Sequence, residues 1–148
     1  MSGPARRKAL YENLYDLPEG VVGEILAGEI HVTPRPKGAH AVAASFLGGS
    51  MTPPFSFGIG GPGGWWILDE PELHLSEDVL VPDLAGWRKE RLPRIEDVAG
   101  FTVVPDWVCE ILSPSTQVRD RTQKMSIYAR EGVRHLWLVD PVARMVEV

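Results

Sequence analysis

The segment that decides the fold is residues 105–116, Pro-Asp-Trp-Val-Cys-Glu-Ile-Leu-Ser-Pro-Ser-Thr. Its middle, residues 107–112, is apolar apart from one glutamate, and an apolar run of this length is typical of a buried strand. The Ser-Pro-Ser that follows supplies a stop and a helix cap, with the proline tolerated ahead of the first turn. We therefore predict a buried strand that leads into a helix over residues 116–131, ended by Gly132.

Downstream of this helix, two further apolar runs predict strands. Residues 133–140 are mostly apolar and predict a central strand, which Pro141 ends. Residues 145–148 begin another strand. Because the chain stops inside this predicted strand, we expect it to be truncated at the C-terminus relative to the natural protein.

Upstream of residues 105–116, apolar runs alternate with proline- and glycine-containing segments that interrupt regular structure. Residues 79–87 predict one strand, and residues 65–68 and 72–75 predict a strand region interrupted at Pro71. Residues 52–64 are rich in proline and glycine and predict a loop without regular structure.

The N-terminal third predicts short elements. Residues 7–14 predict a short helix, residues 21–26 a helical turn, residues 29–33 a half-exposed strand and residues 38–51 a buried helix. Strands, a helix and a further strand in this order indicate an α/β fold with a mixed central β-sheet flanked by helices. We expect residues 1–148 to form a single domain.

Composition excludes several classes of protein. At 148 residues, with 44% apolar and 24% charged residues, the chain resembles one soluble globular domain. No stretch approaches the ~20 apolar residues of a membrane span, and no signal-peptide core follows Arg6-Arg7-Lys8. We therefore expect a cytoplasmic protein with no membrane partner. The single Cys109 excludes an internal disulfide and a multi-cysteine zinc site, and its apolar neighbours predict a buried, inert thiol.

Charge is unevenly distributed along the chain. The formal net charge of −5 gives no support to nucleic-acid binding, although a local basic stripe is enough for it. Residues 69–83 carry six acidic side chains and no Lys or Arg, whereas residues 84–95 carry four basic side chains and one acidic. Two interpretations stay open: solvated loops of opposite sign, or an acidic metal-binding edge beside a basic surface that tolerates phosphate.

Two carboxylates on neighbouring predicted strands form the candidate site. Side chains alternate faces along a strand, so Glu110 shares the face of Val108 and Leu112, where an unpaired buried charge is costly. The same alternation puts Asp83 on the face of Ala85. If the two strands pair, the acids lie ~5 Å apart at Cβ and repel each other unless a proton or a cation lies between them. Oxygen ligands favour Mg²⁺ or Mn²⁺ over zinc.

Lys124 lies on the predicted helix that follows the Glu110 strand. Helical spacing predicts that Val118, Met125 and Ala129 lie nearer the core than the lysine. A lysine that reaches the metal would stabilise developing negative charge or help to position a water. The structural alternative is that a buried acid caps a turn or pairs with an arginine, and that a lone helix lysine is exposed.

Several segments together resemble the Uma2 family of bacterial proteins. They are Val-Pro-Asp-Leu-Ala at 81–85, the 105–116 segment, Lys124 with Tyr128, and Gly-Val-Arg-His-Leu-Trp-Leu-Val-Asp-Pro at 132–141. The resemblance extends from roughly residue 21 to the end of the chain. It implies the restriction-endonuclease-like fold of the PD-(D/E)xK phosphodiesterases.

Within this resemblance, Asp83, Glu110 and Lys124 correspond to the catalytic residues. The two acids would bind the metal, and the backbone carbonyl of Ile111 would complete its shell. The chain departs from the usual pattern, because Leu112 stands where the family lysine is expected. The resemblance implies that the lysine has moved to the next helix, at Lys124.

The resemblance implies a nuclease that depends on Mg²⁺ or Mn²⁺ and acts on nucleic acid, with DNA the expected substrate and no inferable sequence preference. Glu24 and His40 match similar residues in relatives and are expected to be accessory site residues or purely structural. The candidate phosphate contacts are Arg88, Lys89, Arg91, Arg119 and Arg121.

Two other functions remain open. The first is a catalytically inactive interaction module that keeps the nuclease fold and forms a homodimer. Trp65, Trp66 and Trp87 would then anchor the interface, although core packing explains most tryptophans. The second is a remnant whose truncation abolished activity.

Overall fold

The structure, a computed structural model, describes residues 8–148. Its strands are β1 (Val21–Leu26), β2 (Glu29–Pro34), β3 (Trp65–Asp69), β4 (Leu73–Leu75), β5 (Asp78–Leu80), β6 (Leu84–Arg88), β7 (Trp107–Ile111), β8 (His135–Asp140) and β9 (Met145–Glu147). Its helices are α1 (Gly38–Met51), α2 (Gln117–Arg119) and α3 (Met125–Glu131), with a 3₁₀ turn Tyr11–Asp16 and π-helical segments Thr52–Phe57 and Asp120–Lys124. None of the helices in these residues combines the length and the apolar character that crossing a bilayer requires.

A five-stranded mixed sheet has the order β3-β6-β7-β8-β9. The β7–β8 pair is parallel because the helical segment crosses between these strands, and the other neighbouring pairs are antiparallel. α1 packs on the face that carries Leu84, Cys109 and Ile111, whereas α3 packs with Val108 on the opposite face. Cys109 is fully buried, as the sequence predicts. The predicted fold class, a mixed central sheet flanked by helices, is confirmed.

A second, four-stranded sheet in the order β2-β1-β5-β4 is not predicted by the sequence. The helical turn predicted over residues 21–26 is wrong, because these residues form β1, which pairs antiparallel with β2. Ala27 and Gly28 join the two strands with φ angles of 52° and 79°, the left-handed pair that closes a tight hairpin. Cross-strand hydrogen bonds therefore hold this segment extended.

The single strand predicted over residues 79–87 is in fact two strands that belong to different sheets. β5 ends at Leu80 and pairs with β4, whereas β6 begins at Leu84 and pairs with β3 and β7. Pro82 lies between them and has no N–H with which to continue a ladder. Asp83 therefore lies where the chain crosses from one sheet to the other.

Two further predictions, for residues 7–14 and for residues 52–64, need correction. The 3₁₀ turn Tyr11–Asp16 replaces the helix predicted over residues 7–14, whose first residue, Arg7, lies outside the described residues. The predicted loop over residues 52–64 begins with the π-helical segment Thr52–Phe57, which continues α1 before the glycine-rich part starts.

The main hydrophobic core joins the two sheets. Leu26, Leu73 and Leu80 of the four-stranded sheet pack in one cluster with Trp87 and Val108 of the five-stranded sheet. Trp87 is 0% exposed, so the expectation that it anchors a protein interface is wrong. This packing places β1 and the crossing between the sheets close to α3.

Candidate active site

Asp83 is fixed where the pairing of β6 with β7 ends. Leu84 pairs with Cys109 in that ladder, so the next register position sets Asp83 opposite Glu110. Oδ2 of Asp83 accepts a hydrogen bond from the N–H of Ile111 at 2.6 Å. A side-chain oxygen thus takes the place of a backbone carbonyl at the end of the ladder. The carboxylate of Asp83 consequently lies at the end of the sheet, beside Glu110.

Glu110 projects from β7 on the face of Val108 and is 4% exposed. Its Oε1 lies 2.6 Å from Nζ of Lys124 and accepts a hydrogen bond of 2.7 Å from the hydroxyl of Tyr128. Burial raises the pKa of Glu110 well above its ordinary value, the charge of Lys124 opposes this, and the charge of Asp83 raises the pKa further. The charge of Asp83 therefore acts on Glu110.

Lys124 is the cation at the centre of a cluster of acidic side chains, which is called the cluster below. Its side chain is 3% exposed, and Nζ lies 2.7 Å from Oε1 of Glu24, 2.6 Å from Oε1 of Glu110 and 4.0 Å from Oδ1 of Asp120. Burial by itself would lower the pKa of Lys124, but the three carboxylates outweigh burial and raise the pKa above its usual range. Lys124 is therefore charged and acts as the counter-ion of buried acids.

The helix that carries Lys124 turns a different face to the core from the one predicted. Val118, which was expected nearer the core, is 75% exposed. Met125 is only half-buried and Ala129 is exposed, whereas Asp120 and Lys124 are buried. The π-helical turn between these two residues shifts side chains away from α-helical spacing. The acids on β1 and β7 then stabilise a lysine that points inward.

Glu24 and His40 reach the cluster from different elements. Glu24, on β1, is 3% exposed, and its Oε1 accepts a hydrogen bond from the N–H of Val81 at 2.8 Å in addition to its contact with Lys124. His40, on α1, places Nε2 3.0 Å from Oδ1 of Asp83. The hydrogen bond to Asp83 raises the pKa of His40, although burial opposes it. Glu24 therefore joins the cluster through Lys124, and His40 joins it through Asp83.

Asp120 and Tyr128 belong to the same cluster, but the sequence prediction gives them no role. Asp120 is 4% exposed and Tyr128 is 0% exposed. A signal for them exists in the sequence, because Asp120, Lys124 and Tyr128 follow one another at intervals of four residues. That spacing places polar side chains on one face of a helix.

Three of the basic residues predicted as phosphate contacts lie far from the acids. Arg88, Lys89 and Arg91 are at the other end of β6 from Asp83, about 16 Å along the strand at ~3.3 Å per residue. Arg91 is also held by Asp106 at 2.9 Å. The structure does not bring these three side chains to the cluster.

The other two predicted phosphate contacts flank Asp120 on the helix. Arg121 is engaged by Glu147 through two hydrogen bonds of 2.6 and 2.7 Å. Arg119 donates a hydrogen bond to the hydroxyl of Thr33 at 3.3 Å and forms no ion pair within residues 8–148. Of the two, Arg119 makes fewer hydrogen bonds among residues 8–148.

The sequence and the fold both match known proteins. Residues 9–148 match the Uma2 family, described as "Putative restriction endonuclease". A crystal structure described as a "putative nuclease belonging to DUF820", from Anabaena variabilis ATCC 29413, superimposes with a TM-score of 0.75 at 24% sequence identity, covering 93% of this chain and 77% of that one. At this identity the likeness supports the fold alone. No curated protein matches the chain. Because the family match spans residues 9–148, the chain belongs to the Uma2 family.

Proposed function

We propose that this Uma2 protein is a divalent-metal-dependent nuclease that hydrolyses phosphodiester bonds in nucleic acid, with DNA as the expected substrate. The observation that carries the proposal is that the register of β6 and β7 sets Asp83 opposite Glu110 where the pairing of the two strands ends. The description of the family as a restriction endonuclease supports the same class of reaction.

The charge of the cluster suits a bound cation. The acids that share this space are Glu24, Asp83, Glu110 and Asp120. Burial raises the pKa of Glu110 and of Asp120, and a bound cation would favour the ionised form of both. Within residues 8–148, no three His, Cys, Asp or Glu side chains form a metal-binding group. The shell that we propose has two carboxylates and a backbone carbonyl, which are hard oxygen ligands of the kind that Mg²⁺ and Mn²⁺ prefer.

In this proposal, Ile111 supplies the backbone ligand. Its N–H donates to Asp83, and the N–H and C=O of one residue in an extended strand point to the same side. The next N–H, of Leu112, donates in the opposite direction to the carbonyl of Val139 on β8. We therefore assign the metal to Asp83, Glu110 and the carbonyl of Ile111. A metal bound there would stabilise charge on the phosphate and lower the pKa of an attacking water.

The remaining residues of the cluster act on the two acids. The charge of Lys124 favours the ionised form of Glu110 against the effect of burial, and we assign the lysine a positioning role because carboxylates enclose its ammonium group. His40 holds Oδ1 of Asp83 in place. We propose Arg119 as the phosphate contact, because it precedes Asp120 on the helix and its guanidinium group bonds only to the hydroxyl of Thr33 among residues 8–148.

One observation favours the second candidate function, an inactive interaction module that keeps the fold. Lys124 already compensates the buried charge of Glu110 without a metal. A buried lysine–glutamate pair of this kind is compatible with a purely structural centre. The experiment that tests the nuclease therefore also has a result that indicates the interaction module.

The test is a cleavage assay on supercoiled plasmid and on single-stranded DNA with Mg²⁺, with Mn²⁺ and with EDTA. We expect metal-dependent cleavage by the wild type and a loss of about 100-fold or more in Asp83→Asn and Glu110→Gln, the scale on which a positioned charged group contributes. Glu72→Gln is the matched control. Glu72 is bonded to Tyr11 and His74, away from the cluster, and the variant is expected to keep its activity.

Thermal unfolding with and without Mn²⁺ separates the outcomes that lack cleavage. A ligand at 100 times its Kd stabilises the folded state by about 2.7 kcal/mol. Stabilisation that disappears in Glu110→Gln, without cleavage of any nucleic acid, indicates the interaction module. A wild type that neither cleaves nor gains stability from Mn²⁺ contradicts the metal site itself.

A further inference from the structure

Tyr128 contributes a fully buried hydroxyl group to the cluster. It lies on α3, is 0% exposed and donates to Oε1 of Glu110 at 2.7 Å. Nζ of Lys124 reaches the same oxygen at 2.6 Å. Two donors on one oxygen fix the rotation of the carboxylate, because turning it away would leave a buried hydroxyl and a buried ammonium short of an acceptor.

Asp83 is held in a comparable way. The N–H of Ile111 fixes its Oδ2 at 2.6 Å. Oδ1 of Asp83 lies 3.0 Å from Nε2 of His40, so both oxygens of Asp83 have protein partners, whereas Glu110 is held through Oε1. Neither of the contacts that hold Glu110 involves its Oε2.

We propose that Tyr128 is a positioning residue for the metal site. By holding Oε1 together with Lys124, it turns Oε2 of Glu110 toward the cation. Tyrosine suits this role because its hydroxyl orients the carboxylate without adding a second positive charge, so the negative charge that attracts the metal is kept. The inference rests on the proposed function, since it names the atom of Glu110 that the metal would use.

The chain offers a matched control in Tyr11. Its hydroxyl donates to Oε1 of Glu72 at 2.6 Å, and its ring contacts those of Tyr15 and His74. Tyr11→Phe and Tyr128→Phe each remove one oxygen from a tyrosine–glutamate hydrogen bond and keep the aromatic ring. The two variants therefore differ in which glutamate loses its partner.

The experiment measures Mn²⁺ binding to the full chain by isothermal titration calorimetry. We expect the Kd for Mn²⁺ to rise about 10- to 100-fold in Tyr128→Phe, the range for removing a group that orients a metal ligand. The Kd is expected to stay at the wild-type value in Tyr11→Phe. Equal Mn²⁺ affinity in Tyr128→Phe and the wild type overturns the inference.

Thermal unfolding with and without Mn²⁺ distinguishes orientation of the ligand from simple stability. The scans start at low temperature, so that a destabilised variant still has a folded baseline. Each Mn²⁺-induced rise in Tm is compared with the metal-free transition of the same variant. A Tyr128→Phe chain that is less stable but shows the full wild-type rise has a merely structural tyrosine, which overturns the inference.

The same measurements distinguish a failure of this inference from a failure of the proposed function. A wild type without Mn²⁺ binding contradicts the proposed function. Binding that is lost in Glu110→Gln but kept in Tyr128→Phe contradicts the inference about Tyr128 alone.

Discussion

At the scale of single residues, the stability of the cluster depends on Lys124. Its ammonium group lies within 2.7 Å of two buried carboxylates, Glu24 and Glu110. Opposite charges at this distance compensate for the loss of hydration that burial imposes on each of them. Removing the lysine would therefore leave the buried carboxyl groups of Glu24 and Glu110 without their counter-ion.

We expect Lys124→Met to lower the free energy of unfolding by about 3–5 kcal/mol, the cost of breaking a buried ion pair from one side. Urea unfolding followed by circular dichroism measures the change. Lys37→Met is the matched control, because Lys37 is exposed and its replacement is expected to stay within about 0.5 kcal/mol. A loss in Lys124→Met no larger than that of the control would show that the buried pair is not needed for folding.

The sequence predicts part of this cluster at the residue scale. Strand alternation gives the face on which Glu110 lies, and chain order suggests that β6 and β7 pair. The bond from Ile111 to Asp83 could not be predicted, because it depends on where the ladder ends. The inward direction of Lys124 depends on Glu24, a residue one hundred positions earlier in the chain, and helical periodicity contains no information about it.

At the scale of elements, the helical segment before Gly132 determines the geometry of the cluster. Gly132 ends α3 with a φ of 84°, and the N–H of Val133 donates to the carbonyl of Tyr128 at 3.0 Å. This cap closes over the last helical turn, which carries Tyr128. A left-handed residue at this position is favourable for glycine and costly for other residues.

We expect Gly132→Ala to destabilise the protein by about 1 kcal/mol, since alanine pays a steric cost in the left-handed region. Gly49→Ala serves as the opposite control: Gly49 lies within α1, with no atom near the place of a new Cβ. That variant is expected to gain about 0.4–1 kcal/mol. Urea unfolding of both variants measures the difference, and an equal effect of the two substitutions would contradict the role of the cap.

The sequence predicts elements well where one pattern dominates. The helices predicted over residues 38–51 and 116–131, and the strands predicted over residues 107–112 and 133–140, agree with the structure within two residues at each end. The prediction of one strand over residues 79–87 is wrong, because an apolar run does not show where one sheet ends and another begins. Pro82 stands at the break between the two strands, but a proline also fits the edge of a single strand.

At the scale of the whole molecule, one core serves both sheets. Leu80 of the four-stranded sheet is 0% exposed and packs in the same hydrophobic core as Trp87 and Tyr128. The five tryptophans all lie in the five-stranded sheet, on β3, β6, β7 and β8. Tryptophan fluorescence therefore reports on one sheet only, and circular dichroism on both.

We expect the chain to unfold in urea as a single cooperative domain, with coincident transitions by fluorescence and circular dichroism. Leu80→Ala should shift both transitions together and cost about 2–5 kcal/mol, although the substitution is in the sheet without tryptophan. Val118→Ala, at a 75% exposed position, is the control and should shift neither. Separate transitions, or a fluorescence midpoint that Leu80→Ala leaves unchanged, would show that the sheets unfold independently.

The enclosure of Lys124 has a practical consequence for chemical labelling. An amine-reactive ester needs a free, deprotonated amine, and this ammonium group is both shielded and held protonated by its neighbours. The reagent instead reacts with exposed lysines such as Lys8, whose side chain is 72% exposed, and Lys37. A fluorophore or biotin would therefore attach to the outer surface and leave the buried charge pair chemically intact.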